Sequence, residues 1–111
     1  MTFAEQSEFM REYVLLRKRF LSLDDDIEKF KKVLIVLPHG TGGKHWNSLH
    51  HSEKVSVFKT RLACEYLRKN SLRVVYAYMP TENRIELIEI YFKGDKENED
   101  RKRIKDYLDN I

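Results

Sequence analysis

The stretch Leu72–Phe92, LRVVYAYMPTENRIELIEIYF, decides the fold because it holds two apolar segments on either side of a short polar turn. The segments Leu72–Tyr78 and Arg84–Phe92 are rich in β-branched and aromatic residues, a composition typical of strands. The five residues between them include Pro80 and have the length of a hairpin connection. The sequence therefore predicts an antiparallel β-hairpin, and a further strand over Val55–Leu62 just ahead of it.

Ahead of these strands, apolar residues recur every three or four positions, which is the period of a helix that is buried on one side. The first helix is predicted over residues 5 to 20. The second begins near Ser22, where the acidic run Asp24–Asp26 suits the positive end of a helix dipole. Only a few residues separate the two, so we expect an antiparallel helical hairpin. Pro38 and the glycines that follow it predict a loop.

A last helix is expected from Lys96 onward, with a narrow apolar seam and opposite charges spaced four residues apart. The 111 residues suffice for one modest core, so residues 1–111 are interpreted as a single domain. The predicted fold class is α+β. In it, an N-terminal helical hairpin packs on a three- to four-stranded antiparallel sheet, and a C-terminal helix follows.

Composition also bears on the cellular compartment. The longest apolar run, Val74–Met79, has six residues, whereas a membrane-spanning helix requires about 20, so no membrane partner is expected. The first apolar stretch is preceded by acidic residues, unlike the basic and then apolar order of a secretory signal. The single cysteine, Cys64, cannot form an intrachain disulfide. We therefore expect a cytoplasmic protein.

Positive charge is concentrated in one segment. Residues 38–73 contain seven lysines and arginines against two acids, together with all four histidines. Such a local excess is typical of a surface that binds a polyanion, although charge runs are also common on solvated surfaces.

Alternation along the three predicted strands divides their side chains between two faces. One face is apolar, includes Ile88, and is expected to receive the helical hairpin. The opposite face is polar, as is usual for the solvated side of an antiparallel sheet. Because like charges on neighbouring strands weaken a sheet, the cations grouped on it favour an anionic ligand. The polar face is predicted to carry Lys59, Arg61, Arg73, Glu89 and Tyr91, with Lys93 just beyond.

The order of the segments Val57–Leu62, Leu72–Tyr76 and Ile88–Lys93 resembles that of the RelE/ParE superfamily of type II toxin–antitoxin toxins, and especially of its RelE- and HigB-like branch. The resemblance implies a small α+β toxin that binds the ribosome and cleaves mRNA there without a metal or other cofactor. It also implies a cognate antitoxin as partner, and a short first strand near Thr2–Ala4. The catalytic residues implied are Lys59, Arg61, Arg73, Tyr91 and Lys93.

The chemistry of these residue types suits RNA cleavage by the 2′-OH group. That reaction needs a base, an acid, and cations that stabilise the extra charge on phosphorus. Lys59 is a candidate base, and Arg73 is a candidate phosphate clamp because its planar guanidinium binds two oxygens. Tyr91 could stack on a nucleobase or donate a proton. Further RNA contacts are expected from His51, Lys54, Arg68 and Lys69.

The histidines form a rival acid/base set. His39 and His45 lie in the Gly-rich loop and are expected to be solvated, whereas His51 borders the basic strand and could act in catalysis or RNA contact. A zinc site with Cys64 is disfavoured because the usual close pairs of ligands are lacking. Trp46 is expected to anchor the loop on the core.

Three functions remain open on the sequence alone. The leading hypothesis is a ribosome-dependent mRNA endoribonuclease toxin. The second is a ParE-like toxin that binds DNA gyrase and has no ribonuclease site. The third is a non-catalytic RNA-binding module with the same fold.

Overall fold

The computed structural model describes residues 1–67 and 71–111, and this part of the chain forms a five-stranded sheet with helices on both faces. The predicted α+β class is therefore confirmed. None of the helices in the described ranges is long and apolar enough to cross a membrane. The elements in chain order are β1 (Thr2–Glu5), α1 (Ser7–Arg19), α2 (Leu23–Val36), β2 (Trp46–His51), β3 (Ser56–Ala63), β4 (Ser71–Met79), β5 (Arg84–Phe92) and α3 (Arg101–Asp109).

The strand order is β1-β5-β4-β3-β2, and every pair is antiparallel except β1 with β5, which is parallel. The predicted hairpin of β4 and β5 is confirmed, and β1 lies where the family resemblance places a short strand. The sheet has five strands rather than the three or four predicted, because β1 and β2 occupy its two edges. The strand β2 is largely polar and contains a register shift between Ser48 and His50, so its sequence lacks a clear two-residue period.

The helical hairpin α1–α2 covers one face of the sheet, as the sequence predicts. Its buried stripe includes Phe9, Leu23 and Leu34, which pack with Leu72 and Tyr76 of β4 in the main core cluster. This burial of large apolar side chains is the dominant stabilising contribution in a domain of this size.

Trp46 anchors the loop between α2 and β2 on this core, as the sequence predicts. Its indole Nε1 donates to Tyr76 Oη at 3.0 Å, and the Tyr76 hydroxyl in turn donates to the Pro38 carbonyl at 2.8 Å. Gly40 has a φ of +88°, and a Cβ there would meet the indole ring at 2.2 Å. The glycine therefore permits both the left-handed backbone and the close approach of Trp46.

The second face differs from the prediction of a solvated polar surface. Its central part is apolar and is covered by α3, which packs Ile104, Tyr107 and Leu108 there. Ile88 belongs to this face, so its predicted place under the helical hairpin is wrong. A β-bulge explains the difference, because Val75 pairs with Glu89 while Tyr76 pairs with Leu87, and Ile88 is the extra residue. The sheet residues covered by α3 are Val55, Val57, Val75, Ala77, Met79 and Ile88.

Buried ionic contacts hold α3 and the segment before it on the sheet. The Glu89 side chain is fully buried, not solvated as predicted, and it accepts bonds from Lys96 Nζ and from the Asp100 backbone at 2.9 Å. The Arg103 guanidinium donates to both carboxylate oxygens of Glu12, each at 2.9 Å. Asp100 caps α3 by accepting from the Arg103 backbone N–H at 3.0 Å, so the helix starts later than Lys96.

Candidate functional site

Three predicted site residues lie in one transverse row at the end of the sheet beyond the residues that α3 covers. Two of them, Arg61 and Arg73, are half-buried, and Tyr91 is buried. Arg61 of β3 pairs directly with Arg73 of β4, and Arg73 pairs with Tyr91 of β5. Direct partners on adjacent strands point to the same face with Cβ atoms about 5 Å apart. The register therefore brings together the three side chains, which we call the cationic row, on the face that the sequence predicted.

The environment of the cationic row shifts the protonation equilibria of two of its members. Partial burial and the neighbouring Arg61 lower the pKa of Arg73. Burial, followed by the negative charges of Glu99 and Glu89, raises the pKa of Tyr91 to about 12. The phenol of Tyr91 is therefore protonated at neutral pH and can act as a proton donor.

A histidine extends the row to the edge strand. His45 immediately precedes β2, and the backbone N–H of Arg61 donates to its carbonyl at 3.3 Å. Partial desolvation and the positive charges of Arg61, Lys44, Arg73 and Lys93 lower the pKa of His45. Because the charge of Lys93 acts on His45, this exposed lysine also lies at this end of the sheet.

Lys59 lies one row further along the sheet, opposite Val75, and it faces a buried carboxylate. Its Nζ donates to Glu99 Oε1 at 2.8 Å, and Arg101 Nη2 lies 2.8 Å from the other oxygen of that carboxylate. Burial alone would raise the pKa of Glu99, but the hydrogen bond from Lys59 and the charge of Arg101 outweigh it and lower that pKa. The Lys59 ammonium group is therefore already engaged within the protein, a contact that the sequence did not predict.

Other candidates lie elsewhere. His51 pairs with Ser56 and contacts its hydroxyl at 2.8 Å, five residues along β3 from Arg61. At about 3.3 Å per residue, roughly 17 Å separates the backbones of His51 and Arg61. Lys54 is exposed in the turn beyond His51, so neither residue belongs to the cationic row. Arg68 and Lys69 lie outside the described residues.

His39 and Cys64 are also distant from the row. The His39 ring packs edge-on against Tyr78 and Phe58, with ring centroids 5.0 and 5.9 Å apart, on the side of the helical hairpin. Cys64 is buried, with Sγ 3.5 Å from Ser22 Oγ. Among residues 1–67 and 71–111, no three His, Cys, Asp or Glu side chains are grouped as ligands of a metal ion.

Comparison with known proteins identifies the fold. No protein-family model matches the sequence, and no curated protein matches it either. Among solved structures, the chain is similar to one from the archaeal RelE–RelB complex of Pyrococcus horikoshii OT3, with a TM-score of 0.63 and 14% sequence identity. The alignment covers 84% of this chain and 94% of that chain. The protein therefore has a RelE-like fold, in agreement with the resemblance in its strand sequences.

Proposed function

We propose that this chain is the toxin of a type II toxin–antitoxin pair and that it cleaves ribosome-bound mRNA by attack of the RNA 2′-OH. The observation that carries the proposal is the direct pairing of Arg61, Arg73 and Tyr91 across three strands of a RelE-like sheet. This pairing supplies two cations for a phosphate and a proton donor beside them. A sheet face that merely met solvent would gain nothing from opposing two arginines.

Each member of the row has a chemical role in the proposed reaction. The 2′-oxygen forms a bond to phosphorus, the bond from phosphorus to the 5′-oxygen breaks, and the products are a 2′,3′-cyclic phosphate and a 5′-hydroxyl. Arg61 and Arg73 bind the phosphate oxygens and stabilise the charge that develops on them. Tyr91 gives its proton to the departing 5′-oxygen. Lys93 adds positive charge at the edge of the site, whereas the charge of Lys59 is paired with Glu99.

The proposed partners follow from the same site. The RelE neighbour was solved as a complex with RelB, which supports a cognate antitoxin for this chain. We expect that antitoxin to place acidic side chains over the cationic row, where they would compete with mRNA phosphates. The ribosome and its mRNA are the proposed targets, so the proposed site of action is the cytoplasm.

Expression of the chain without an antitoxin tests the proposal. The wild type should arrest bacterial growth, and the purified protein should cleave mRNA on ribosomes in the presence of a chelator. Arg73→Ala should lower the cleavage rate by about 10²- to 10³-fold, because it removes a preorganised donor to the developing charge. Arg11→Ala is the matched control, since Arg11 is exposed on α1, on the other side of the sheet.

Three outcomes would contradict the proposal or its mechanism. Growth arrest with intact mRNA and a DNA-damage response would favour the gyrase-binding alternative. RNA binding without cleavage or toxicity would favour the non-catalytic module. Loss of cleavage on chelation, restored by zinc, would contradict the metal-free mechanism.

A further inference from the structure

The proposed cleavage requires a group that accepts the proton of the 2′-OH. Most residues in and around the cationic row cannot accept it, because of their chemistry or their contacts. Arginine side chains do not lose a proton in proteins. Tyr91 has a pKa of about 12 and is protonated at neutral pH. The Lys59 ammonium group donates to Glu99, and that carboxylate is buried. The carboxylate of Glu89 is also buried, where it accepts bonds from Lys96 and the Asp100 backbone.

The ammonium group of Lys93 also lies at this end of the sheet, but an ammonium group has no site that accepts a proton. An imidazole nitrogen does, and the backbone brings His45 to the row. Trp46 pairs with Thr60 and Asn47 with Lys59, so the residue before Trp46 comes opposite Arg61. The bond from the Arg61 N–H to the His45 carbonyl extends this ladder. Trp46 is packed into the core under the helical hairpin. His45 itself lies in the turn before β2, and its side chain is exposed. The charges of Arg61, Arg73 and Lys93 act on its imidazole, so the ring lies near the cationic row.

We propose that His45 is the general base that removes the proton from the 2′-OH, an inference that rests on the proposed function. A ring nitrogen of neutral His45 accepts the proton while the 2′-oxygen attacks phosphorus. Tyr91 protonates the 5′-oxygen as its bond to phosphorus breaks, so one proton is taken and one is given in each turnover. Proton exchange with water then restores both groups.

The charges around His45 favour this role. Four cations act on its imidazole: Lys44 on the same turn, Arg61 on β3, Arg73 on β4 and Lys93 after β5. The nearby carboxylate of Glu99 is paired with Lys59. Partial desolvation and the surrounding cations lower the pKa of His45, which favours its neutral imidazole. When a phosphate is bound, its negative charge offsets the repulsion that the imidazolium would meet. Two groups with pKa values shifted in opposite directions are typical of an acid/base pair.

The test is the pH dependence of cleavage of ribosome-bound mRNA between pH 5 and 9. In the wild type, the rate should rise with pH through the pKa of His45, because the unprotonated imidazole is the active form. His45→Ala and His45→Gln should each lose about 10²- to 10⁴-fold in rate. Their pH profiles should lack this rise at acidic pH, which we call the acidic limb. Added imidazole should restore part of the rate of His45→Ala. His39→Ala is the matched control, and it should keep the wild-type profile.

The readouts separate failure of this inference from failure of the proposed function. If the wild type cleaves and Arg73→Ala does not, but His45→Gln keeps both the rate and the acidic limb, His45 is not the base and the proposed function stands. If His45→Gln is slow but retains the limb, and imidazole does not rescue His45→Ala, a purely structural role replaces the catalytic one. If the wild type itself does not cleave, the proposed function and this role of His45 are both wrong.

Discussion

Arg61 and Arg73 are direct partners in the antiparallel ladder of β3 and β4, so two side chains of like charge stand next to each other on one face. Opposed like charges destabilise a sheet by several tenths of a kcal/mol up to about 1 kcal/mol. The proximity is also expressed in the lowered pKa of Arg73, to which burial and Arg61 both contribute. A bound anion would relieve this repulsion, and this explains why the arrangement suits a phosphate ligand.

Sulfate should therefore stabilise the folded protein more than chloride does at equal ionic strength. A ligand present at ten times its Kd stabilises the folded state by about 1.4 kcal/mol, which corresponds to a rise of several degrees in Tm. The sulfate-specific rise should be smaller in Arg73→Gln and unchanged in Arg11→Gln, as measured by thermal unfolding. Equal rises in all three proteins would show that sulfate does not bind between Arg61 and Arg73.

The ion pair of Lys59 and Glu99 predicts a specific acid sensitivity. Because the pKa of Glu99 is lower in the folded protein than in the unfolded chain, the unfolded chain binds the proton more readily as pH falls. The stabilising effect is fully present above the unfolded-state pKa, about 4.3, and is lost as pH falls through the folded-state pKa. The free energy of unfolding should therefore decrease below about pH 4.5.

Denaturant unfolding of Glu99→Gln between pH 3 and 7 checks this prediction. The variant should be less stable than the wild type at pH 7, because Lys59 loses a buried ionic partner. The difference between the two proteins should shrink as pH falls. Glu97→Gln is the control, since Glu97 is exposed two residues away. A constant difference across this range would mean that Glu99 does not titrate differently in the two states.

Local sequence patterns were sufficient to predict the strands whose own residues show the composition and alternation of a β-strand. The strands β4 and β5 each carry their own run of β-branched and aromatic residues, and the alternation within them places Arg73 and Tyr91 on one face. The alternation in β3 does the same for Arg61. Because a register error of one residue would reverse these assignments, the agreement at this end of the sheet is informative.

The remaining features depend on tertiary contacts that the sequence does not display. The strand β2 is polar and bulged, and its placement depends on Trp46 reaching Tyr76, thirty residues away. His45 is an exposed residue of the loop, as the sequence predicts, but its place beside the cationic row depends on the bond from the Arg61 N–H to its carbonyl. The bulge at Ile88 shifts which side chains of β5 face α3, and no local pattern marks it. Glu99 lies outside any helix or strand, so no periodic pattern in the sequence could predict its contact with Lys59.

Replacement of Tyr91 by phenylalanine should slow cleavage by roughly 10²- to 10⁴-fold without loss of the fold, since only the hydroxyl is removed. The ring, which lies 5.3 Å from Lys96 Nζ, is retained. Because the pKa of Tyr91 is about 12, its phenol is protonated throughout pH 5 to 9, so the loss should be uniform over this range. Single-turnover rates at each pH provide the measurement.

A substrate with sulfur in place of the departing 5′-oxygen sharpens the test of Tyr91. A thiolate leaves without protonation, so Tyr91→Phe and the wild type should cleave this substrate at similar rates. A loss as large as that on the normal substrate would indicate that Tyr91 positions the RNA rather than donating a proton.

Arg73→Lys separates the charge of Arg73 from its geometry. Lysine keeps the positive charge but presents a compact ammonium group, which cannot make the two parallel bonds of a guanidinium to phosphate oxygens. Donors aimed at a developing charge are each worth about 10²- to 10³-fold in rate, so Arg73→Lys should lose much of the activity. It should still cleave faster than Arg73→Ala. The loss should fall mainly on kcat, because attraction to the RNA backbone is retained. Arg11→Lys is the control, and a kcat of Arg73→Lys equal to that of the wild type would mean that Arg73 contributes charge alone.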